Sequence, residues 1–388
     1  MNNSNSLITD VITAIRSVVG VGTFALHEPN FGDLEQRYLM DCLNSGYVSS
    51  VGAYVDKFEG LIAEYTGIRN VISTVNGTSA LHLALLATGV TTNDEILMPS
   101  LTFAATANAV IYCGAYPIFV DSSPLNFNMD LIVLEEWLKA NTTFKECRLI
   151  NINTGRRIKA IVPMHTFGHS CDMDLLLDIA SKYHLEVVED ASEGLGSFYK
   201  ERHVGTFGTV GVLSFNGNKI ITTGGGGAIL TNDDLLAKNI RHLSTTARIK
   251  HPWEVAHDQV GFNYRMPNLN AALGCAQIER LENFRVSKRK LNEAYLQAFK
   301  DIHDIRIYQE PRNCSSNYWL QSLILSENVL NKKESLLKET NAHGISTRPL
   351  WKLMHQLKHF SNFQKTTMHG SELLAKCVIN IPSSPHLL

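Results

Sequence analysis

Cysteine is scarce in this chain of 388 residues, with seven in all, and no two of them form a Cys-x-x-Cys pair. An odd count spread over Cys42, Cys113, Cys147, Cys171, Cys275, Cys314 and Cys377 fits no closed disulfide framework. Reduced, mostly packed thiols of a cytosolic protein are expected instead. No apolar run reaches transmembrane length, and Asp10 interrupts the first apolar stretch without a basic leader before it. Neither a membrane span nor a secretory signal is therefore expected. Blocks of one charge sign are missing as well: 35 basic and 37 acidic residues, net -2, are scattered along the chain. That distribution gives nucleic acid no electrostatic footprint to bind. There is no internal repeat and no low-complexity tract. What remains reads as a soluble cytoplasmic protein, 44% hydrophobic, long enough for at least one full core and for two or three domains.

From Val71 to Leu230 short apolar runs alternate with helical stretches, the rhythm of a sheet wound with crossover helices. Strands are expected at Val71–Val75, Glu95–Met98, Pro117–Val120, Ala160–Pro163, Glu186–Glu189, Val210–Ser214 and Gly227–Thr231. One helix is predicted over Thr78–Ala87, after an Asn76-Gly77 turn, with Leu81, Ala84 and Leu85 on its apolar face. After Pro267 the texture changes to a long helical pattern, Asn268–Phe299. This places residues 1–266 in an N-terminal segment and large α/β domain, and residues 267–388 in the connecting helix and a smaller α+β domain. Within the latter, Trp319–Leu325 reads as a strand and Asn331–Asn341 as a helix.

Three pieces in order carry chemistry. Gly77-Thr78-Ser79 at a helix start offers N–H groups and a favourable dipole to a phosphate, although Ser and Thr cap helices for their own reasons. Asp190 follows the apolar run Leu185–Val188 and Glu189, so it belongs at the carboxyl end of a parallel strand, where α/β sheets keep their ligand crevices. A carboxylate there can keep a pyridinium nitrogen protonated, or it can merely cap the next turn. Lys219 lies beyond the strand ending at Ser214 and just before four glycines, Gly224 to Gly227. Most lysines are solvated, but such a glycine run marks close backbone approach, and an amine buried there can lose its charge and become a nucleophile.

Taken together, these segments resemble the DegT/DnrJ/EryC1/StrS sugar-nucleotide aminotransferases, within the pyridoxal-5′-phosphate (PLP) fold type I, the aspartate aminotransferase-like fold. The resemblance rests on Asn76-Gly-Thr-Ser-Ala-Leu81, Pro99-Ser-Leu-Thr-Phe-Ala-Ala-Thr-Ala-Asn108, Glu189-Asp-Ala-Ser-Glu193, Ser214 to Gly227 and Gly261-Phe-Asn-Tyr-Arg-Met-Pro267. It implies a mostly parallel seven-stranded sheet flanked by helices, with Lys219 as the Schiff-base lysine and Asp190 as partner of the pyridinium nitrogen. Thr78, Ser214 and the Gly77 backbone would hold the phosphate, and Phe103 would stack on the ring. Where many relatives carry Gln, this chain has Glu193, which can reach the cofactor's ring oxygen only if one of the two holds a proton. Asn263 resembles an Asn that reaches the phosphate of the neighbouring subunit, which implies a homodimer with shared active sites, and Arg265 serves substrate or structure.

Leu26-His-Glu-Pro29, Ser45-Gly-Tyr-Val-Ser-Ser-Val-Gly52 and the insertion Asn153-Thr-Gly-Arg-Arg157 are similar to the branch that makes 4-amino sugars for legionaminic acid and related nine-carbon acidic sugars. That likeness implies a UDP-linked 4-keto-6-deoxy-N-acetylhexosamine as acceptor and L-glutamate as donor, with another keto sugar, aminated at C3 or carried on GDP or TDP, as the alternative. The family's usual terminal helix is expected to be absent, with the chain stopping at Pro385-His-Leu-Leu388. In the family's dehydratase branch His replaces the lysine, so Lys219 argues for transfer, and it argues equally against a non-catalytic regulatory protein. Gly20-Val-Gly22-Thr-Phe-Ala25 formally fits a dinucleotide fingerprint, but the Leu-His-Glu-Pro29 that follows cannot be the required helix. His165, His169 and Cys171 match no standard zinc spacing.

Overall fold

The computed structural model describes residues 3–388. Seven strands form its main sheet: β1 (Asn70–Thr74), β2 (Glu95–Pro99), β3 (Tyr116–Val120), β4 (Ile158–Ile161), β5 (Glu186–Asp190), β6 (Val210–Ser214) and β7 (Gly227–Thr231). They lie in the order β1-β7-β6-β5-β4-β2-β3. From β6 to β3 every neighbour is parallel, whereas β7 runs antiparallel to both β1 and β6. These are the seven segments expected from the apolar runs. β1 is shifted by one residue and three strands run one residue longer than expected, while β4 starts two residues early, where Ile158 pairs with Glu95.

Side chains of a strand alternate between its faces, and here both faces are apolar. Val71, Val187, Leu213 and Leu230 join one buried core, while their neighbours Ile72, Val188, Val212 and Ile229 join another on the opposite side. Each such side chain contributes about 1.5–3 kcal/mol on leaving water, so the sheet has no favourable state other than between two helical layers.

A third core lies in the C-terminal part. Its sheet comprises β8 (Ile305–Ile307), β9 (Gln321–Leu325), β10 (Arg348–Pro349) and β11 (Val378–Ile381), in the order β8-β9-β11-β10. Leu7, Val11, Ala14 and Ile15 of the N-terminal helix Asn3–Val19, one face at helical spacing, pack into this core with Leu291, Tyr295 and Phe299. Among the described residues no helix is long and apolar enough to cross a membrane.

The structure differs from the sequence reading in four places. The helix expected over Asn268–Phe299 is two helices, Asn268–Glu279 and Leu281–Phe299, broken at Arg280. Neither Gly nor Pro marks that break; the Arg280 guanidinium instead donates to the Asn30 carbonyl at 3.1 Å and to Glu35 Oε1 at 2.9 Å. A hairpin of Thr142–Lys145 and Arg148–Asn151 was unforeseen, because Glu146 and Cys147 make its turn at φ 50° and 60°, where Asn-Gly is the usual signal. The strand expected from Trp319 begins at Gln321, after Tyr318 turns through φ 47°. The helix expected over Asn331–Asn341 is a tight turn, Glu327–Lys332, followed by Lys333–Ala342. Gly20, at φ 86°, follows the end of the N-terminal helix, and Phe24 pairs with Ile345, so no dinucleotide turn is present there.

Candidate active site

A cavity of about 300 Å³ opens where the carboxyl ends of β5 and β6 face the start of the helix Gly77–Ala87. Gly77, Thr78, Phe103, Asp190, Glu193, Ser214 and Lys219, drawn from four separate stretches of sequence, all line it. Asn263 does not. It is exposed, and it lines a separate groove with Lys238, Arg241, Arg248 and Lys250.

One end of the cavity is built for an anion. Asn76, not Thr78, caps the helix, its Oδ1 accepting the Ser79 N–H at 2.8 Å. A Cβ on Gly77 would lie 2.9 Å from the Ser214 Cβ and 3.5 Å from the Ser192 Oγ. Glycine therefore lets the helix start approach the end of β6, bringing its N–H dipoles beside the hydroxyls of Thr78, Ser192 and Ser214. Gly227 meets the same constraint from the other side, since a Cβ there would lie 2.7 Å from the Asn76 carbonyl carbon. The glycine run thus marks close backbone approach.

The strand pleat separates two adjacent carboxylates. Glu189 is fully buried and accepts from His165 Nε2 at 3.0 Å and from the N–H groups of Gly205, Phe207 and Gly208 at 2.7, 2.6 and 2.6 Å. Burial alone would raise it, but His165 and these donors hold it below the usual carboxylate range. His165 is therefore a structural partner, and among the described residues no group of three or more potential metal ligands occurs. Asp190 points the opposite way, into the cavity. Its Oδ2 accepts from Thr106 Oγ1 at 2.7 Å and its Oδ1 from the Ser192 N–H at 3.2 Å.

Lys219 Nζ donates to Glu193 Oε1 at 3.1 Å, with the lysine side chain 13% exposed and the glutamate 1%. Glu193 Oε2 accepts the Phe167 N–H at 2.8 Å, from a residue held at φ 56°. Burial pushes the Glu193 carboxyl up to about 7 against the pull of Lys219. Phe103 is 55% exposed at the mouth, its ring edge-on to Trp351 at 6.3 Å. It is thus a presented face, not a core side chain.

The sequence pattern of the DegT/DnrJ/EryC1/StrS aminotransferase family matches residues 29–388. The chain belongs to that family. As a DegT/DnrJ/EryC1/StrS aminotransferase, it is similar to the GDP-perosamine synthase of Caulobacter vibrioides, with 35% identity over 92% of this chain and 91% of that one. A solved family member from Brucella abortus is 28% identical over 92% of this chain and 91% of its own, with a TM-score of 0.83. NtdA from Bacillus subtilis, solved with bound cofactor PMP, is 26% identical over 92% of this chain and 78% of its own, with a TM-score of 0.78.

The family's cofactor is pyridoxal phosphate, and the cavity of this aminotransferase suits it. A glycine-fronted helix start with three hydroxyls matches a phosphate, and a buried carboxylate bonded to a hydroxyl and an N–H and facing the cavity matches a protonated ring nitrogen. Reading the sequence left other wall residues without a role: Met164, Asn218, Trp319 and Trp351. The two tryptophans come from the C-terminal part, and no local pattern links them to a site 100 or more residues away. His27 of the Leu26–Pro29 segment is buried with neither ring nitrogen partnered, and burial keeps it neutral.

Proposed function

We propose that this enzyme transfers the amino group of L-glutamate to the C4 keto group of a nucleotide-linked 4-keto-6-deoxy sugar, for a bacterial surface polysaccharide or nonulosonic acid. The observation that carries the reading is the meeting of Lys219, Asp190 and the Gly77 helix start around one cavity. When bound there, pyridoxal phosphate supplies the aldehyde that joins an amine and the ring that draws electrons from the substrate carbon. Gly77, Thr78 and Ser214 bind the phosphate, Phe103 covers the ring face, and Asp190 holds the proton on the ring nitrogen. Lys219 bears the cofactor and, once freed, moves the proton between the donor's Cα and the cofactor carbon through Nζ. Glu193, with its raised pKa, is suited to share a proton with the cofactor's ring oxygen.

Asn263 and its basic neighbours lie outside their own chain's cavity, which supports a homodimer in which this groove completes the partner's site. The division into residues 1–266 and 267–388 belongs to the same reading, with the N-terminal helix packed on the smaller part. For the acceptor, Leu26–Pro29, Ser45–Gly52 and Asn153–Arg157 favour a UDP-linked N-acetylhexosamine. The identity to GDP-perosamine synthase favours a GDP-linked sugar as the second reading. A panel of UDP-, GDP- and TDP-linked 4-keto and 3-keto sugars with L-glutamate, read by mass spectrometry and NMR, decides between them. A 4-amino UDP product is expected, amination at C3 or no product with any sugar refutes the proposal, and a 4-amino GDP product transfers it to the second acceptor.

A further inference from the structure

The lysine's surroundings include a side chain that the reaction as outlined does not use. Trp319 is 4% exposed and stands just before β9, in the C-terminal part, yet it reaches the segment leading to Lys219. Its indole N–H donates to the Asn218 carbonyl at 2.7 Å, and its ring lies 4.0 Å from Lys219 Nζ. The amine is thus held on two sides, by the ring and by Glu193 Oε1 at 3.1 Å.

The tryptophan itself is fixed from behind. Its backbone N–H donates to Asn317 Oδ1 at 2.7 Å, and its carbonyl accepts from Lys288 Nζ at 3.0 Å. Lys288 is wholly buried and is bonded to two carbonyls, those of Trp319 and Ser383, so it acts as a clamp. Asn317 also donates to the Glu193 carbonyl at 2.8 Å and the Leu195 carbonyl at 2.7 Å. One short segment, Asn317–Trp319, therefore sets both neighbours of the lysine amine.

A free lysine chain has about 2 kcal/mol of rotamer freedom, and an amine must be held near its target to react fast. Resting on the reading of Lys219 as the cofactor-bearing amine, we propose that Trp319 is the positioning residue that aims Lys219 Nζ. Its N–H pins the residue before the lysine, and its ring face guides the amine. Trp319→Phe keeps a ring but loses the hydrogen bond, whereas Trp319→Leu loses both.

The test follows how fast the cofactor-free variants capture added pyridoxal phosphate, by absorbance, together with the single-turnover rate and KM for L-glutamate. One hydrogen bond lost predicts about a tenfold slower capture and turnover in Trp319→Phe, and loss of the ring contact as well predicts about a hundredfold in Trp319→Leu. KM is expected to stay within about threefold of wild type, because the defect lies in aiming the amine and not in substrate binding. Lys288→Met, which releases the tryptophan from behind, should show the same split to a smaller degree and serves if Trp319→Leu does not fold. Capture and single-turnover rates equal to wild type in Trp319→Phe and Lys288→Met, or a rise in KM alone, would overturn the inference. Borohydride trapping of wild-type enzyme keeps the two failures apart: a label on Lys219 with normal variants removes only the role of Trp319, whereas a label elsewhere removes the reading beneath it.

Discussion

Replacing Glu193 by Gln probes the one titration in the site whose size can be worked out. The carboxyl is enclosed, and burial pushes it up to about 7 from its ordinary 4.5. Between those two values the folded chain keeps a proton that the unfolded chain has released. Stability from this group is therefore full below pH 4.5, falls as pH rises through the window, and is lost above about pH 7. At about 1.4 kcal/mol per pH unit, the part of the window between pH 5 and pH 8 amounts to about 2–3 kcal/mol. Gln cannot titrate, so the variant lacks this component. Urea unfolding of cofactor-free wild type and Glu193→Gln at both pH values measures it, because groups that do not interact with Glu193 cancel in the difference. The stability of wild type minus that of the variant should drop by about 2–3 kcal/mol from pH 5 to pH 8. A difference that stays constant would refute the enclosed, proton-retaining carboxyl on which the role of Glu193 rests.

Asp190→Asn should leave melting nearly unchanged, since Asn can still accept from Thr106, but should slow transamination about a hundredfold or more through loss of the charge facing the ring nitrogen. Turnover of L-glutamate at the wild-type rate would contradict that role. Asn263→Ala should weaken cofactor affinity about 10- to 100-fold, and Lys219→Ala should be inactive at any cofactor level. Refolding the two inactive variants together at limiting cofactor should restore activity, because a mixed dimer with shared sites leaves one pocket whole. Mixed dimers confirmed by mass that stay as inactive as their parents would reject the shared site.

The sheet was legible because its signal is local. Runs such as Val187–Val188 and Ile229–Leu230 are buried on both faces, and short β-branched runs bounded by turn signals read as central strands. The Gly77, Asp190 and Lys219 segments were legible for a related reason: each pairs a chemical group with a turn or strand end beside it in the chain. What escaped notice depends on contacts distant in sequence. Arg280, where the helix breaks, is bonded to Asn30 and Glu35, and Trp319 gains its place only when the C-terminal part packs over Asn218. The hairpin at Glu146-Cys147 uses residues that rarely take positive φ, so no turn signal was there to find.

The account as a whole turns on which amine carries the cofactor. Reduction of the pyridoxal phosphate-loaded enzyme with borohydride, followed by proteolysis and mass spectrometry, reads that amine out as a stable adduct. A single label on Lys219, within the peptide that spans Ser214 to Gly227, is the predicted result. A label on any other residue, including the buried Lys288, would contradict it.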